Sequence, residues 1–270
     1  MNKPPPSSAA MKSQAGALPR KVMTGGPTEF LEAQRAAFKA TIDLQAGSGD
    51  CAQALASQAF DNLESNTRRH AEGKPPIACA KGCSTCCRGF RVDATGPEIL
   101  EVARFIRAMP PQQAQELTER VKAADAVTRG LGGGERLRLR DPCPMLGDDG
   151  ACRIYASRPL ACRGHASYDR QACIDAASGS RREIPVSLPH ARIRILVQTA
   201  LEAALLDSGL EPAQYELNHA LAIALADPAA ADKWFQGIDV IEAALSPIAT
   251  DPKHGVRAII EWLENRRISK

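Results

Sequence analysis

The residues Cys79-Ala80-Lys81-Gly82-Cys83-Ser84-Thr85-Cys86-Cys87 place four thiols in one short stretch, with the spacing C-x3-C-x2-C-C. A thiolate is a soft ligand, and thiolates two or three residues apart can turn onto one Zn²⁺ ion or one iron–sulfur cluster. Further along the chain stand four more cysteines, namely Cys143, Cys152, Cys162 and Cys173. Because eight of the nine cysteines belong to these two groups, the sequence predicts a fold built around what they hold.

The overall composition is that of an ordinary globular protein. Hydrophobic residues make up 44% of the 270 residues and the net charge is only +3, which gives no argument for binding to nucleic acid or to a membrane surface. No stretch approaches the roughly 20 apolar residues of a membrane span, and residues 1–26 lack the apolar segment of a signal peptide. We therefore expect a cytoplasmic protein, in which thiols stay reduced and clustered cysteines indicate metal rather than disulfides.

Apolar periodicity predicts a mainly α fold. Helices are expected from about residue 28 to beyond Ile42, over 50–70, from Thr95 to about Met109, over 111–128, and from Ser187 to the residues before Gly209. Shorter ones are expected over 212–226, 229–245 and 254–268. Thr95-Gly96-Pro97-Glu98 has the form of a capping box, while the alternation from Arg136 to Arg140 predicts one short strand with a solvated arginine face.

Three regions are expected along the chain. Residues 1–27 have the composition of a disordered tail. Residues 28–180 form a helical region with the cysteine-rich, irregular centre, and residues 181–270 form a C-terminal helical region packed on that core. Cys51, at the start of a predicted helix, is interpreted as a small buried apolar residue.

The second cysteine group has a distinctive sequence context, because Cys143-Pro144-Met145-Leu146 is followed by Gly150-Ala151-Cys152-Arg153-Ile154-Tyr155 and then Arg158-Pro159-Leu160-Ala161-Cys162-Arg163. Together with C-x3-C-x2-C-C, this series resembles the YkgJ-type cysteine-cluster family, a zinc- or iron-chelating domain. A similar domain occurs in flagellin lysine N-methylases. The resemblance covers about residues 75–175 and implies a metal-ligand role for Cys79, Cys83, Cys86, Cys87, Cys143, Cys152 and Cys162. Cys173 lies beyond the matched motif and is added as an eighth candidate.

The residues around the cysteines bear on which metal is bound. Only Cys83 and Cys86 have the C-x2-C spacing of a zinc knuckle, whereas C-x3-C-x2-C is closer to cluster-binding loops, so an iron–sulfur cluster is favoured over zinc. Such a centre carries negative charge, and nearby guanidinium groups would offset it. The candidates for that role are Arg153, Arg158 and Arg163, and the competing interpretation for each is a surface salt bridge.

Three functions fit this pattern. The first is a cytoplasmic metal-cluster protein in which the cluster is structural or transfers electrons to an unknown protein or redox partner. The second is an enzyme, such as a protein lysine methyltransferase, by analogy with the flagellin methylases. The third is a zinc or iron sensor or trafficking protein. The sequence identifies no catalytic residues, and it lacks the βα alternation of radical S-adenosylmethionine barrels, which share the three-cysteine spacing.

The two cysteine groups are expected to meet in space. Cys86 and Cys87 are adjacent and fit a single tetrahedral site poorly, and the second group has no C-x2-C pair. Neither group is therefore well arranged to bind metal alone. A helical hairpin over about 97–128 would return the chain near its start and bring the groups together.

Overall fold

The computed structural model describes residues 26–46, 48–180 and 183–247. Nearly all of the predicted tail and the whole helix predicted over 254–268 lie outside these residues. Within them the fold is mainly helical, as the sequence predicts, with ten α-helices and one two-stranded antiparallel sheet. None of the described helices is long and apolar enough to cross a membrane.

The α-helices are α1 Pro27–Leu44, α2 Cys51–His70, α3 Gly96–Arg107, α4 Pro111–Thr128, α5 Gly133–Leu139, α6 Leu160–Gly164, α7 Arg170–Ala177, α8 Leu188–Asp207, α9 Leu217–Ala226 and α10 Ala230–Phe235. The strands are β1 Asp93–Thr95 and β2 Gln214–Glu216. Single 3₁₀ turns occupy Tyr155–Ser157 and Glu242–Ala244.

The core is formed by long helices from both predicted helical regions, residues 28–180 and 181–270, which pack on one another. Helix α8 packs against α1, α2 and α6, while α3 packs against α2 and α9, and α4 packs against α9. The apolar faces meet at side chains that are fully buried, including Phe38, Leu55, Ile106 and Leu201. Helix α4 has a mostly polar sequence, but Leu117 and Val121 are fully buried, so one of its faces belongs to the core.

The small sheet fixes the segment that follows the first cysteine group. Asp93 pairs with Glu216 and Thr95 pairs with Gln214, and the backbone N–H of Leu217 donates to the carbonyl of Val92 at 2.9 Å. The chain leaving Cys87 is thereby held against the C-terminal third. Sequence periodicity did not reveal these two strands, since each has only three residues.

Helix α3 begins with the predicted capping box. The buried Glu98 carboxylate accepts hydrogen bonds from the Thr95 backbone N–H at 2.9 Å and from the Thr95 hydroxyl at 2.7 Å. Its other oxygen accepts from the backbone N–H of Leu160 at 2.6 Å. One turn later, Glu101 accepts from the hydroxyl of Ser157 at 3.0 Å. Two carboxylates of α3 therefore anchor the segment that leads into α6 and Cys162.

The strand predicted from Arg136 to Arg140 is wrong, because these residues lie in and just after helix α5. The Glu135 carboxylate accepts from the Gly132 N–H at 2.7 Å, which closes the first turn of that helix. Arg136 is 5% exposed rather than solvated, and its guanidinium donates to Glu216 at 3.0 Å. An ion pair that spans 80 residues of sequence cannot be read from a five-residue alternation.

Three further boundaries differ from prediction. The helix expected over 212–226 begins only at Leu217, because the residues before it form β2. The one expected over 229–245 ends at Phe235, two residues before Gly237, whose φ of 85° lies in the left-handed region. Helix α1 begins at Pro27, one residue before the predicted start.

Gly96 offers a test of how tightly the start of α3 is packed. A Cβ at this position would overlap the buried indole ring of Trp234. Gly96→Ala should therefore lower the free energy of unfolding by about 1–3 kcal/mol, the usual cost of overpacking. Urea denaturation followed by far-UV circular dichroism measures this change.

Gly133 provides the matched control for that substitution. It is likewise the first residue of a helix, and a Cβ added there meets no atom within 4 Å. Gly133→Ala should leave stability nearly unchanged or raise it slightly. Equal destabilisation by both substitutions would contradict the packing account.

Candidate metal centre

The first cysteine group lies in consecutive tight turns between α2 and β1. The backbone N–H of Cys83 donates to the Ala80 carbonyl at 2.9 Å, and that of Cys87 donates to Ser84 at 3.0 Å. Gly82 has a φ of 84°, which a residue with a side chain rarely adopts. These turns arrange four cysteines without a regular helix or strand.

The second group is distributed over three different local structures. Cys143 and Cys152 lie in a hairpin-like loop in which Leu146 and Cys152 form a backbone bridge, and the Arg153 N–H donates to the Met145 carbonyl at 2.9 Å. Cys162 lies in α6 and Cys173 in α7. Because α6 begins at the backbone N–H that Glu98 anchors, the position of Cys162 depends on α3.

The two cysteine groups meet, as the sequence predicts. The backbone N–H of Cys143 donates to the carbonyl of Cys87 at 2.7 Å, beside a bridge between Arg88 and Pro142. Helices α3 and α4 form the predicted hairpin between the groups and bury Ile99 and Ile106 completely. Whether the groups share a metal stays a prediction.

The eight cysteines line two neighbouring cavities. The large cavity, of about 740 Å³, is lined by Cys83, Cys86, Cys87, Cys143, Cys152 and Cys162. The small cavity, of about 180 Å³, is lined by Cys79, Cys83, Cys86 and Cys173. Two cysteines, Cys83 and Cys86, therefore lie at both cavities. His165 also lines both, and its ring meets the edge of Phe90 with centroids 5.3 Å apart.

Within the described ranges, no three His, Cys, Asp or Glu side chains are arranged to hold a single metal ion as they stand. The thiols instead surround open space. Burial raises the pKa of Cys143 to about 11 and also raises the pKa of Cys152 and Cys162. The pKa of Cys86 is raised mainly by its hydrogen bond with Cys87, and then by burial. The donor set is chemically suited to zinc or to an iron–sulfur cluster, which would have to displace these protons.

The three candidate arginines occupy different environments. Arg153 donates to Glu116 at 2.6 Å. Arg163 pairs with Glu64, donates to backbone carbonyls including Arg158 at 2.6 Å, and lies over the ring of Phe60 at 4.0 Å. No carboxylate in the described ranges pairs with Arg158, which lies over the Tyr155 ring at 4.6 Å.

The charge of Arg158 lowers the pKa of Cys86, Cys152 and Cys162 against the larger effects that raise them. Arg158 is thus the arginine best placed to offset a thiolate centre. The predicted roles of all three toward the centre stay predictions.

The structure also shows the environments of Cys51 and Glu216, which lie outside the cysteine motif. Cys51 is 2% exposed and packs in the hydrophobic core, as predicted. Glu216, whose Glu-x-x-His spacing to His219 resembles a di-iron motif, accepts from the His219 backbone N–H at 2.8 Å and pairs with Arg136. It therefore caps α9.

Sequence reasoning missed Arg136 at the large cavity, since its position there depends on its ion pair with the distant Glu216.

Comparison with known proteins agrees with the motif. Residues 78–179 match the family model CxxCxxCC, which is described as "Putative zinc- or iron-chelating domain". The matched segment contains both cysteine groups, and the match supports metal binding by this segment. No curated protein and no solved structure matches the chain.

The different exposure of the cysteines predicts different reactivity. Cys79 is exposed, although partial burial of its thiol raises its pKa, whereas Cys51 is buried and burial raises its pKa to about 11. Since the thiolate is the reactive form, iodoacetamide should alkylate Cys51 at least roughly tenfold more slowly than Cys79 in reduced, chelator-treated protein. Peptide mapping by mass spectrometry measures both rates. Equal rates in protein that retains its far-UV spectrum would contradict the burial of Cys51.

Proposed function

We propose that this protein binds an iron–sulfur cluster through cysteine thiolates in the large cavity, in a structural or electron-transfer role. The observation that carries the proposal is that six cysteines from both groups line this one cavity. They come from the first cysteine loop, the hairpin-like loop and α6. Loop-rich segments of this kind gain stability when a metal crosslinks them.

The arrangement favours a cluster over a single zinc ion. A structural zinc ion gathers four ligands at about 2.0–2.3 Å around one point. In a cluster the thiolates bind different iron atoms and stand further apart. Thiols distributed around a cavity of about 740 Å³, with no compact trio among the described residues, suit the second geometry better.

The surroundings can accommodate the charge of such a centre. Arg158, which has no carboxylate partner in the described part of the chain, lies close enough to lower the pKa of Cys86, Cys152 and Cys162. A guanidinium in this position stabilises the thiolate forms that bind iron. When bound, the cluster would supply a one-electron redox couple, and a redox partner in the cytoplasm would be needed to use it.

A metal-trafficking role is the second candidate, and the exposure of Cys79 favours it. Exchange of metal requires a thiol that an acceptor can reach. If this function is correct, a mild chelator should remove the metal within minutes. A cluster retained under the same anaerobic treatment would exclude it.

The composition of the centre can be measured directly. Protein purified under anaerobic conditions should contain iron and acid-labile sulfide in similar amounts, because the thiol spacing suits a cluster better than a zinc knuckle. Elemental analysis and a sulfide assay provide the test. Stoichiometric zinc without sulfide would exclude the cluster.

Cysteine substitutions should separate ligands from core residues. Cys162→Ala removes a thiol at the large cavity and should lower the bound metal at least severalfold and reduce thermal stability, because metal binding is coupled to folding. Cys51→Ala removes a thiol from the core and should leave metal content unchanged, at a cost of about 1 kcal/mol in stability. Metal analysis and thermal denaturation would be run on both variants. Full metal content in Cys162→Ala would remove that residue from the ligand set.

A further inference from the structure

We infer that the large cavity also binds an anionic organic molecule, a carboxylate or a phosphate ester, beside the cysteines. Arg158 and Lys81 would contact the anionic group, and the aromatic rings of Phe90 and Tyr155 would contact the organic part. This inference goes beyond the proposed metal binding and does not depend on which metal is bound.

The large cavity has the size of a pocket for a small organic molecule. Pockets for small organic ligands have volumes of about 300–1,000 Å³, and the large cavity, at about 740 Å³, lies within that range. An iron–sulfur cluster or a metal ion bound at the cysteine-lined wall would occupy only part of this space. The remaining volume is enough for a molecule the size of a substituted naphthalene.

The walls of the cavity supply apolar contact. Met145 and Ile154 are buried at its floor with 1% exposure each. Phe90 and Tyr155 also line it, yet they keep 38% and 58% of their surface exposed. Large exposed apolar side chains beside a concave surface are typical of ligand sites.

The charge around the cavity is strongly one-sided. Five cationic side chains line it, namely Lys81, Arg91, Arg136, Arg153 and Arg158, against the single carboxylate of Asp149. Three of the five are neutralised by Asp93, Glu216 and Glu116 at 2.6–3.0 Å. No carboxylate among the described residues pairs with Lys81 or Arg158. Two cations thus remain for an external anion, and a guanidinium can bind a carboxylate or phosphate with two parallel hydrogen bonds.

Two hydrogen-bond donors in the cavity wall also favour an anionic ligand. Arg136 and Arg158 both line the cavity, and each has a buried Nε with no hydrogen-bond partner among the described residues. Buried donors are nearly always satisfied in folded proteins. An anion or its ordered water at this wall would satisfy them.

One competing explanation is that Arg158 serves only to balance the thiolates. That account predicts an effect of Arg158 on metal content and none on the selection between charged and neutral organic molecules. It also gives no role to Lys81, which is exposed in the first cysteine loop. The two explanations can therefore be separated by measuring both properties on the same samples.

The experiment uses the full chain purified anaerobically, with metal content determined for every sample. Isothermal titration calorimetry would compare 2-naphthoate and 2-naphthyl phosphate with the neutral 2-naphthamide. We expect at least one anion to bind at least about tenfold more tightly than the amide, the effect of a hydrogen-bonded charge. The tighter of the two anions would identify the ligand class as carboxylate or phosphate.

Four variants assign the effect to residues. Arg158→Met should weaken the anion by about tenfold without affecting the amide, Arg158→Lys should weaken it less, and Lys81→Met should weaken it by about threefold, since Lys81 is exposed. Arg138→Met is the matched control, because it removes the same charge from an exposed position on α5 outside the cavity. It should leave anion binding unchanged.

Several results would overturn the inference. They are equal binding of the anions and the amide, no binding of any probe at millimolar concentration, or an Arg138→Met effect as large as that of Arg158→Met. Loss of metal in Arg158→Met with an unchanged preference for the anion would assign the arginine to the metal centre and likewise contradict the inference. If the wild-type protein holds no metal but selects the anion through Arg158, the proposed function fails and this inference stands.

Discussion

The carboxylate of Glu98 joins the helical scaffold to the cysteine-rich segment. It is 1% exposed and accepts three hydrogen bonds, two from Thr95 at the start of α3 and one from the backbone N–H of Leu160 at the start of α6. Burial raises the pKa of Glu98, and the hydrogen bonds from Leu160 and Thr95 oppose that rise. Each donor left unsatisfied in the interior would cost about 1–3 kcal/mol. The position of Cys162 is therefore fixed by a group that is not itself a candidate ligand.

Around this connection the protein combines a helical core with an irregular cysteine-rich centre. Helices α1, α2, α3, α8 and α9 bury apolar faces against one another. The cysteine segments contribute Met145, Ile154 and Leu160 to this core and are otherwise held by turns, single backbone bridges and anchoring carboxylates. Burial raises the pKa of Cys143, Cys152 and Cys162, which line the large cavity, so metal binding by these thiols must release protons.

The sequence predicted those features whose signals are local. The capping box predicted the start of α3, the apolar stripes predicted the long helices, and the C-x3-C-x2-C-C spacing identified the cysteine-cluster domain. Features that depend on distant residues were missed. Arg136 was assigned to a solvated strand, because its partner Glu216 lies 80 residues away, and the strands β1 and β2 are too short to show periodicity. Which cysteines line which cavity depends on how α6 and α7 pack. The spacing of the cysteines along the sequence carries no information about that packing.

The pairing of β1 with β2 has a consequence for the extent of the folding unit. The family match ends at residue 179, yet the partner of β1 is Gln214–Glu216, and α3 packs on α2 and α9, both outside the match. A fragment cut at the family boundaries would expose Ile99, Val102 and Ile106, which are fully buried in the whole chain. It would also leave Arg136 without Glu216. The family boundaries therefore cut through a packed core, and helices on both sides of the matched segment complete the burial of α3.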